Sequence, residues 1–365
     1  MKKMLSLAAM FAVLSYASPA SAELKLGGDA SVRLRDVSYS GEKPSTKSTS
    51  DDATWQYRVR LNAAADLGDG YFFKALIMDE NNAAGGWKSV SYGNTETLTL
   101  NVSNFYFGRM QKDCHYMVGR LPLNSFNNAI FDLTLYPTQP LENPVANINY
   151  DRVYGANYGT KIGEGMLNAT FVVLDNESGN DTVAKGDGLF NDGYALHLDY
   201  KVNVGNVTLE PQFLTVLTNS DIWSQSGAVI HSGVTPYTFG ANVVVPAGNA
   251  KLTFGGFYTN CNDTTPNTST KTDYSGYQFR VKGEVGNFMA WYDYNRTTDK
   301  STATETKYTN NFIWAQYKIP VHSSAAGTLT IQPTLRYLTN KTEAAGVTTL
   351  DQTRLRSELW ATVTF

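Results

Sequence analysis

The chain is poor in the residues that build disulfide frameworks and hydrolytic sites. It has two cysteines and four histidines among 365 residues. Two cysteines cannot make the dense disulfide framework of a small exported domain. A Ser–His hydrolase needs a positioned histidine, and only His197, in the segment YALHLDYK, falls inside an alternating stretch. We therefore expect neither a disulfide-stabilised fold nor an enzyme, and we expect no cofactor.

A strong excess of either charge is also missing. The chain has 30 Lys and Arg against 33 Asp and Glu, which gives a formal net charge of −3. A protein that binds nucleic acid through its surface charge would have a clear basic excess. We therefore expect no nucleic-acid partner.

Only one long apolar run is present, and it lies at the start of the chain. Two lysines precede the apolar segment 4–17, and the small residues Ala20-Ser21-Ala22 follow it. This segment is shorter than the roughly 18 apolar residues that a membrane-spanning helix needs. The order of these features predicts a secretory signal peptide over residues 1–22 and a mature domain over residues 23–365.

The rest of the sequence alternates between apolar and polar residues. In the segment WQYRVRLN (55–62), every second residue is apolar and the others are Gln, Arg, Arg and Asn. Successive side chains of a strand point to opposite faces, so this segment predicts a strand with one polar side. The same period of two predicts an all-β chain of about sixteen strands. The predicted strands are 24–39, 55–67, 71–79, 97–109, 115–121, 152–162, 166–175, 194–203, 207–218, 235–245, 251–260, 273–285, 288–298, 308–321, 328–340 and 350–365.

The predicted connections fall into two length classes that alternate along the chain. One class is short, as in GDG near 68 and GEG near 163, and the other is long and polar, as at 122–150. Short turns on one side and long loops on the other are typical of an antiparallel outer-membrane β-barrel. An even strand number places both termini on the periplasmic side. A soluble β-sandwich also alternates, but its loops are not sorted by length.

The last residues, RLRSELWATVTF, alternate strongly and end on Phe365. Leu359, Ala361, Val363 and Phe365 form one apolar set, which predicts the lipid-facing side of the strand that closes the barrel. This ending resembles the C-terminal signature strand that the barrel-assembly machinery of Gram-negative bacteria recognises by its terminal aromatic residue. We therefore expect Phe365 to be an assembly signal.

The whole mature chain resembles the Gram-negative trimeric porins of the 16-stranded, general-diffusion type. The most specific match is local: Gly119-Arg120 precedes the longest loop, at 122–150, and Arg152 opens the next strand. In that family the longest loop folds into the lumen. The segment YPTQPLENP stands here in place of the family's Pro-Glu-Phe-Gly-Gly loop motif. The resemblance implies a homotrimer in the bacterial outer membrane, in contact with lipid and lipopolysaccharide, that passes small hydrophilic solutes.

Charged residues in the middle of the predicted strands must face the lumen, because an Arg or Lys at the lipid-facing midplane costs about 2–4 kcal/mol. Since the first, second and last strands are neighbours in a closed barrel, their arginines should converge on one wall. The resemblance adds Arg120 and Arg152 to this basic ladder, and Asp132 and Glu142 of the third loop are the candidate acids across the constriction. Opposed charges of this kind set ion preference, here a modest preference for anions. The converging arginines are Arg33, Arg35, Arg58, Arg60, Arg354 and Arg356, with Arg336 beside them.

Several alternatives stay open at this stage. One is that the arginines are structural partners of wall acids such as Asp29, Asp66 and Glu358. Another is a substrate-specific channel for phosphate, organic anions or sugars, although Tyr and Phe mostly take lipid-facing positions, which argues against an aromatic sugar path. A structural or adhesive barrel is less favoured. The segment DGLFND (187–192) is a weak candidate for a divalent-cation site.

The two cysteines are not expected to pair. Cys114 is predicted in a short turn on one side of the barrel and Cys261 in a long loop on the other side. The apolar band between these two sides is about 25 Å tall. A disulfide needs Cα atoms within about 7 Å of each other.

Overall fold

The structure, a computed structural model, describes residues 23–42, 52–79, 86–122, 128–139, 152–175, 192–218, 220–223, 228–264 and 270–365. Over these ranges the chain forms a closed antiparallel β-barrel of 16 strands, which confirms the predicted fold class. The predicted signal peptide, residues 1–22, lies outside the described residues. No helix within the described ranges is long and apolar enough to cross a membrane.

The strands are numbered β1 to β16 in chain order, and each pairs with the next. Short turns connect them at one rim, called the turn rim. The connections at the other rim, called the loop rim, are longer, except the one between β15 and β16, which contains only residues 345 and 346. The bounds are β1 Glu23–Glu42, β2 Asp52–Gly68, β3 Tyr71–Asp79, β4 Leu100–Met110, β5 Cys114–Pro122, β6 Arg152–Ile162, β7 Gly165–Asp175, β8 Gly193–Val204, β9 Val207–Val216, β10 Tyr237–Ala247, β11 Ala250–Thr264, β12 Lys271–Val285, β13 Phe288–Asp299, β14 Thr306–Tyr317 with a second segment Ile319–Ser324, β15 Gly327–Ala344 and β16 Val347–Thr364.

β14 is interrupted at Lys318, whereas the sequence predicted one continuous strand over 308–321. The register against β15 shifts between Pro320 and His322. Proline has no N–H to give to the ladder, so an irregularity at this position is expected of a strand that contains it.

The first and last strands close the barrel. Their antiparallel register runs from Asp29 opposite Thr364 to Glu42 opposite Asp351. Beyond this ladder, Phe365 and Gly28 exchange two backbone hydrogen bonds, of 2.8 and 3.1 Å. The ring of Phe365 lies over Gly28, where a Cβ would come 3.2 Å from the ring carbon Cζ. β16 is therefore paired to its end and presents no free edge there.

The barrel wall is polar on its inner face and apolar on its outer face, which is the reverse of a soluble protein. On β1, Asp29, Ser31 and Arg33 are buried inside the barrel, whereas Leu26 and Val32 are exposed outside. An apolar outer band around a polar interior is the arrangement of a barrel in lipid. A soluble β-sandwich would instead bury its apolar faces in the core.

The third long loop folds into the barrel, as predicted. Its described segment, 128–139, contains a single helical turn at Ile130–Leu133. Its side chains Ile130, Phe131 and Leu135 are buried and belong to one apolar cluster with residues of the barrel wall. The wall residues of this cluster are Val153, Val172, Ala195, Leu214, Val216, Phe257, Trp291, Phe312, Trp314 and Leu338.

The long connection between β9 and β10 contains a hairpin that the sequence analysis did not predict. Ser220–Trp223 pairs with Val229–Val234. Ile222 and Val234 of this hairpin are fully buried and pack in one cluster with Tyr136 of the third loop. This connection therefore folds inward and contacts the third loop.

Both cysteines are free, in agreement with the expectation that they do not pair. Cys114 begins β5 at the turn rim. Cys261 lies within β11 and is buried, so its predicted position in a loop is wrong. The strand continues past Asn260 because the polar residues that follow keep pairing with β12.

The barrel lumen as candidate functional site

Seven arginines occupy one continuous part of the inner wall, called here the basic wall. They lie on four adjacent strands, β15, β16, β1 and β2. Two carboxylates, Asp29 and Glu358, lie among them, so this set of nine groups has a formal net charge of +5. The arginines that the structure brings together are Arg33, Arg35, Arg58, Arg60, Arg336, Arg354 and Arg356.

Glu358 joins three arginines of the basic wall. Its Oε1 accepts a hydrogen bond from Arg35 Nε and lies 3.5 Å from Arg33 Nη1. Its Oε2 lies 2.8 Å from Arg336 Nη2 and accepts a hydrogen bond from Trp360 Nε1 at 3.0 Å. The side chain of Glu358 is fully buried. This buried carboxylate is therefore stabilised by charge-assisted contacts at both oxygens.

Asp29 joins two more arginines. Arg60 Nε donates to Asp29 Oδ2 at 2.8 Å, and Arg58 Nη2 lies 3.6 Å from Oδ1. Asp66, which was predicted as another wall acid, instead accepts the N–H of Gly68 at 2.9 Å. That prediction is wrong because Asp66 lies at the end of β2, where an Asp side chain readily caps a turn. Five of the seven arginines are thus paired with Asp29 or Glu358, and the arginines of the basic wall outnumber these two acids.

Indole rings contact the arginines that share these two carboxylates. The Arg33 guanidinium carbon lies 3.9 Å from the ring centroid of Trp87, and that of Arg336 lies 3.6 Å from Trp314. An aromatic face attracts a cation without neutralising its charge. These rings were not predicted from the sequence, because only Tyr and Phe were considered as aromatic lining and these mostly face outward. The sequence does indicate two of these rings, since Trp314 and Trp360 fall on the same strand face as polar residues.

The third loop is hydrogen-bonded to strands beyond the basic wall. Side chains of β10 to β14 donate to the carbonyl oxygens of successive loop residues, so the wall fixes the backbone of the loop and not only its side chains. The bonds are Thr238 to Thr134 O at 3.2 Å, Thr259 to the same oxygen, Tyr274 to Leu135 O at 2.7 Å, Thr297 to Pro137 O at 2.8 Å and Asn310 to Thr138 O.

Asp299 connects the third loop to the inward hairpin. Its Oδ2 accepts the hydroxyl of Tyr136 at 2.7 Å and lies 2.8 Å from Nε2 of His231. The ring of His231 also stacks on Tyr274, with ring centroids 5.3 Å apart. Two separate loops are therefore tied to one carboxylate of β13.

His197, on β8, also positions the third loop. Its Nε2 lies 2.9 Å from Gln212 Oε1, and Asn128 of the loop donates to the same oxygen at 2.9 Å. The imidazole meets the ring of Phe131 edge-on, with centroids 4.6 Å apart. An amide and an aromatic ring are partners that hold a loop in place, and neither is a nucleophile that a histidine could activate.

Arg120 and Arg152 are not adjacent to the basic wall, and the predicted lumenal position of Arg120 is wrong, whereas that of Arg152 stays a prediction. They lie on β5 and β6, which β3 and β4 separate from β2. Arg120 Nη1 donates to Ser103 O at 2.7 Å, and its guanidinium lies 4.9 Å from the ring centroid of Tyr154, an exposed residue. Both residues were assigned from the family resemblance. The alternation along β5 instead places Arg120 on the face opposite to the inward residues of that strand.

The two predicted loop acids lie partly or wholly outside the described residues. Asp132 lies in the helical turn of the third loop, but its side chain is outside the described residues, as is the whole of Glu142. Their position across from the basic wall stays a prediction. Glu210 of β9 is an acid near the described part of the loop, and it accepts hydrogen bonds from Asn242 at 3.0 Å and Gln212 at 3.3 Å.

No group of three His, Cys, Asp or Glu side chains that could hold a metal ion occurs in the part of the chain that the structure describes. Of the candidate cation segment DGLFND, only Asp192 lies within that part. Its Oδ2 accepts the hydroxyl of Tyr194 at 3.0 Å. The predicted cation site therefore falls almost entirely outside the described residues.

No protein-family model matches the chain, and comparison with curated proteins finds no sequence relative. Solved structures do share the fold. The chain is similar to the outer membrane channel DcaP of Acinetobacter baumannii, with 14% identity, a TM-score of 0.57 and coverage of 96% of this chain and 99% of that one. It is also similar to an anion-selective porin from Comamonas acidovorans (12%, 0.55, 94% and 100%) and to the trimer form of OmpT, an outer membrane protein of Vibrio cholerae (11%, 0.53, 93% and 99%). At these identities the likeness establishes the outer-membrane barrel fold.

Proposed function

We propose that the protein forms a water-filled channel in the bacterial outer membrane, through which small hydrophilic solutes and ions diffuse passively with a modest preference for anions. The basic wall carries this proposal, because seven inward arginines lie together with only two carboxylates among them inside a closed barrel. Charged side chains that line a pore set its ion preference. Barrels of about eight strands are filled by side chains, whereas those of about 16 strands leave an aqueous channel.

The proposal includes an orientation and a route of assembly. Residues 1–22 act as the export signal, the turn rim and both ends of the mature chain face the periplasm, and the loop rim faces outward. Phe365 acts as the signal for the barrel-assembly machinery, and the outer band contacts lipid and lipopolysaccharide. The exposed apolar side chains of the outer face support this arrangement, because outer-membrane barrels carry such a band between two interfaces.

We infer that the constriction forms between the basic wall and the third loop. The loop is bonded to β10–β14, and the basic wall occupies β15, β16, β1 and β2, so the two features lie on different parts of the lumen wall. Asp132 and Glu142 are the acids expected on the loop side.

A second candidate function is a channel specific for an organic anion. The clustered guanidinium groups of the basic wall also favour it, since guanidinium groups make strong charge-assisted hydrogen bonds with carboxylates. A general channel conducts in proportion to salt concentration, whereas a specific channel saturates and is blocked by its substrate. We propose no catalytic activity for either candidate.

Purified protein in planar bilayers should produce stepwise currents, and in a KCl gradient the reversal potential should show that chloride permeates better than potassium. The preference should weaken at high salt, because the screening length falls from about 10 Å at 0.1 M to about 3 Å at 1 M. Absence of conductance would favour a structural or adhesive barrel. A preference for potassium at 0.1 M would contradict the anion claim.

We also propose that three barrels associate. The outward positions Gly28, Ala30, Ala63 and Ala65 of β1 and β2 are small and allow close approach of a second barrel, and one barrel of similar fold is known in a trimer form. Native electrophoresis in a mild detergent should give the mass of three chains, and heating should convert it to one. A single-chain mass before heating would contradict the trimer.

A further inference from the structure

We propose that Trp87 is a selectivity-determining residue of this channel. Its indole covers the guanidinium groups of Arg33 and Arg58 and narrows the passage beside the basic wall. This inference rests on the proposed channel function. Trp87 belongs to the second long loop and contacts the basic wall directly, whereas the third loop is bonded to other strands.

The backbone around Trp87 is fixed to the barrel. Residues 88 and 89 pair with 57 and 56 of β2, beyond the point at which β3 ends. Gly86 has a φ of +64°, and a Cβ there would come 2.4 Å from the carbonyl oxygen of Asp79. The turn that leads into Trp87 therefore needs glycine at this position.

The loop continues into a second fixed turn. The N–H and the hydroxyl of Ser91 both donate to Glu96 at 2.9 Å. These hydrogen bonds hold the pKa of the Glu96 carboxyl below its ordinary value. The turn is therefore bonded at neutral pH, and the segment 88–96 that follows Trp87 is held by hydrogen bonds.

The side chain of Trp87 lies against three residues of the basic wall. Its ring centroid is 3.9 Å from the Arg33 guanidinium carbon and 4.6 Å from that of Arg58. The ring meets Trp360 edge-on, with centroids 5.1 Å apart. Trp87 is 8% exposed, and the two arginines it covers are 4% and 9% exposed.

The position of the Trp87 indole limits how closely solutes can approach the two guanidinium charges. A carboxylate would neutralise a guanidinium, whereas an indole leaves the charge intact and covers its face. Removal of the indole should therefore widen the passage and expose two positive charges together. The wider passage should raise the conductance, and the exposed charges should strengthen the preference for anions.

The test is the single-channel conductance and the chloride-to-potassium permeability ratio of Trp87→Ala in planar bilayers. Because charge and width at a constriction control both quantities, we expect the conductance to rise about 1.5-fold and the permeability ratio to rise with it. Trp87→Phe keeps an aromatic face and should stay close to the wild type. Trp55→Ala is the matched control, since this tryptophan lies on the outer face of β2 and is 57% exposed.

Trp87 does not belong to a barrel strand, so the variant should assemble. If Trp87→Ala yields too little barrel, Trp87→Leu, which keeps apolar volume but lacks the aromatic face, should shift the permeability ratio in the same direction. Unchanged conductance and permeability ratio in the assembled variant would overturn the role of Trp87 while the channel itself stands. Absence of current from the wild-type protein would overturn the proposed function and this inference together.

Discussion

Replacement of both Arg58 and Arg60 with serine should shift the reversal potential in a KCl gradient toward cations. The change takes the formal charge of the basic wall from +5 to +3 and removes the ion pairs of Asp29 with Arg58 and Arg60, of 3.6 and 2.8 Å. Since screening reaches only about 10 Å at 0.1 M salt, these local charges dominate their own part of the lumen, and we expect the chloride-to-potassium ratio to fall by about two- to three-fold.

Two controls separate charge from structure in this experiment. The Arg58→Lys, Arg60→Lys variant keeps both charges and should keep the selectivity of the wild type. Arg109→Ser with Arg296→Ser removes the same number of arginines from positions beside the tyrosines of the outer face and should leave the reversal potential unchanged. If the serine variant of the basic wall assembles and conducts with unchanged selectivity, the arginines are structural partners only.

Glu358→Gln should have the largest effect on stability of any single change at the basic wall. The carboxylate contacts Arg35, Arg33 and Arg336, and its side chain is fully buried. Removal of one partner from a buried ion pair leaves an uncompensated charge and costs about 3–5 kcal/mol. Here three guanidinium groups would remain close together, on the two strands that flank β16 and close the barrel. We expect the midpoint of urea unfolding in detergent micelles to fall accordingly.

The matched control is Glu343→Gln, which removes a partly exposed acid at the loop rim whose partner is Lys341. Its unfolding midpoint should stay that of the wild type. The double variant Glu358→Gln, Arg336→Met removes one of the repelling charges and should recover part of the lost stability. An unfolding midpoint of Glu358→Gln equal to that of the wild type would show that Glu358 does not hold the closing strands together.

The face of the barrel wall to which each strand residue points follows from the local alternation of apolar and polar residues. Alternation is a property of the extended backbone itself, so counting by twos was enough to assign the faces of β1, β2 and β16. Closure of the barrel was also predictable, because the last strand carries both an apolar outer set ending at Phe365 and an inner charged set. Together these two features predict that the arginines of three strands meet, although those strands lie at opposite ends of the chain.

The contacts inside the lumen depend on how separate segments meet, and no local pattern encodes that. The pairing of Glu358 with three arginines requires the register between β15, β16 and β1. Arg120 was assigned by resemblance and lies on the other face. Trp87 belongs to a loop, where alternation has no meaning, and its position over Arg33 follows from a return of the chain to β2. The sequence by itself thus determined the barrel and its basic wall, whereas only the tertiary structure decided which groups cover and anchor those charges, because loops are positioned by long-range contacts.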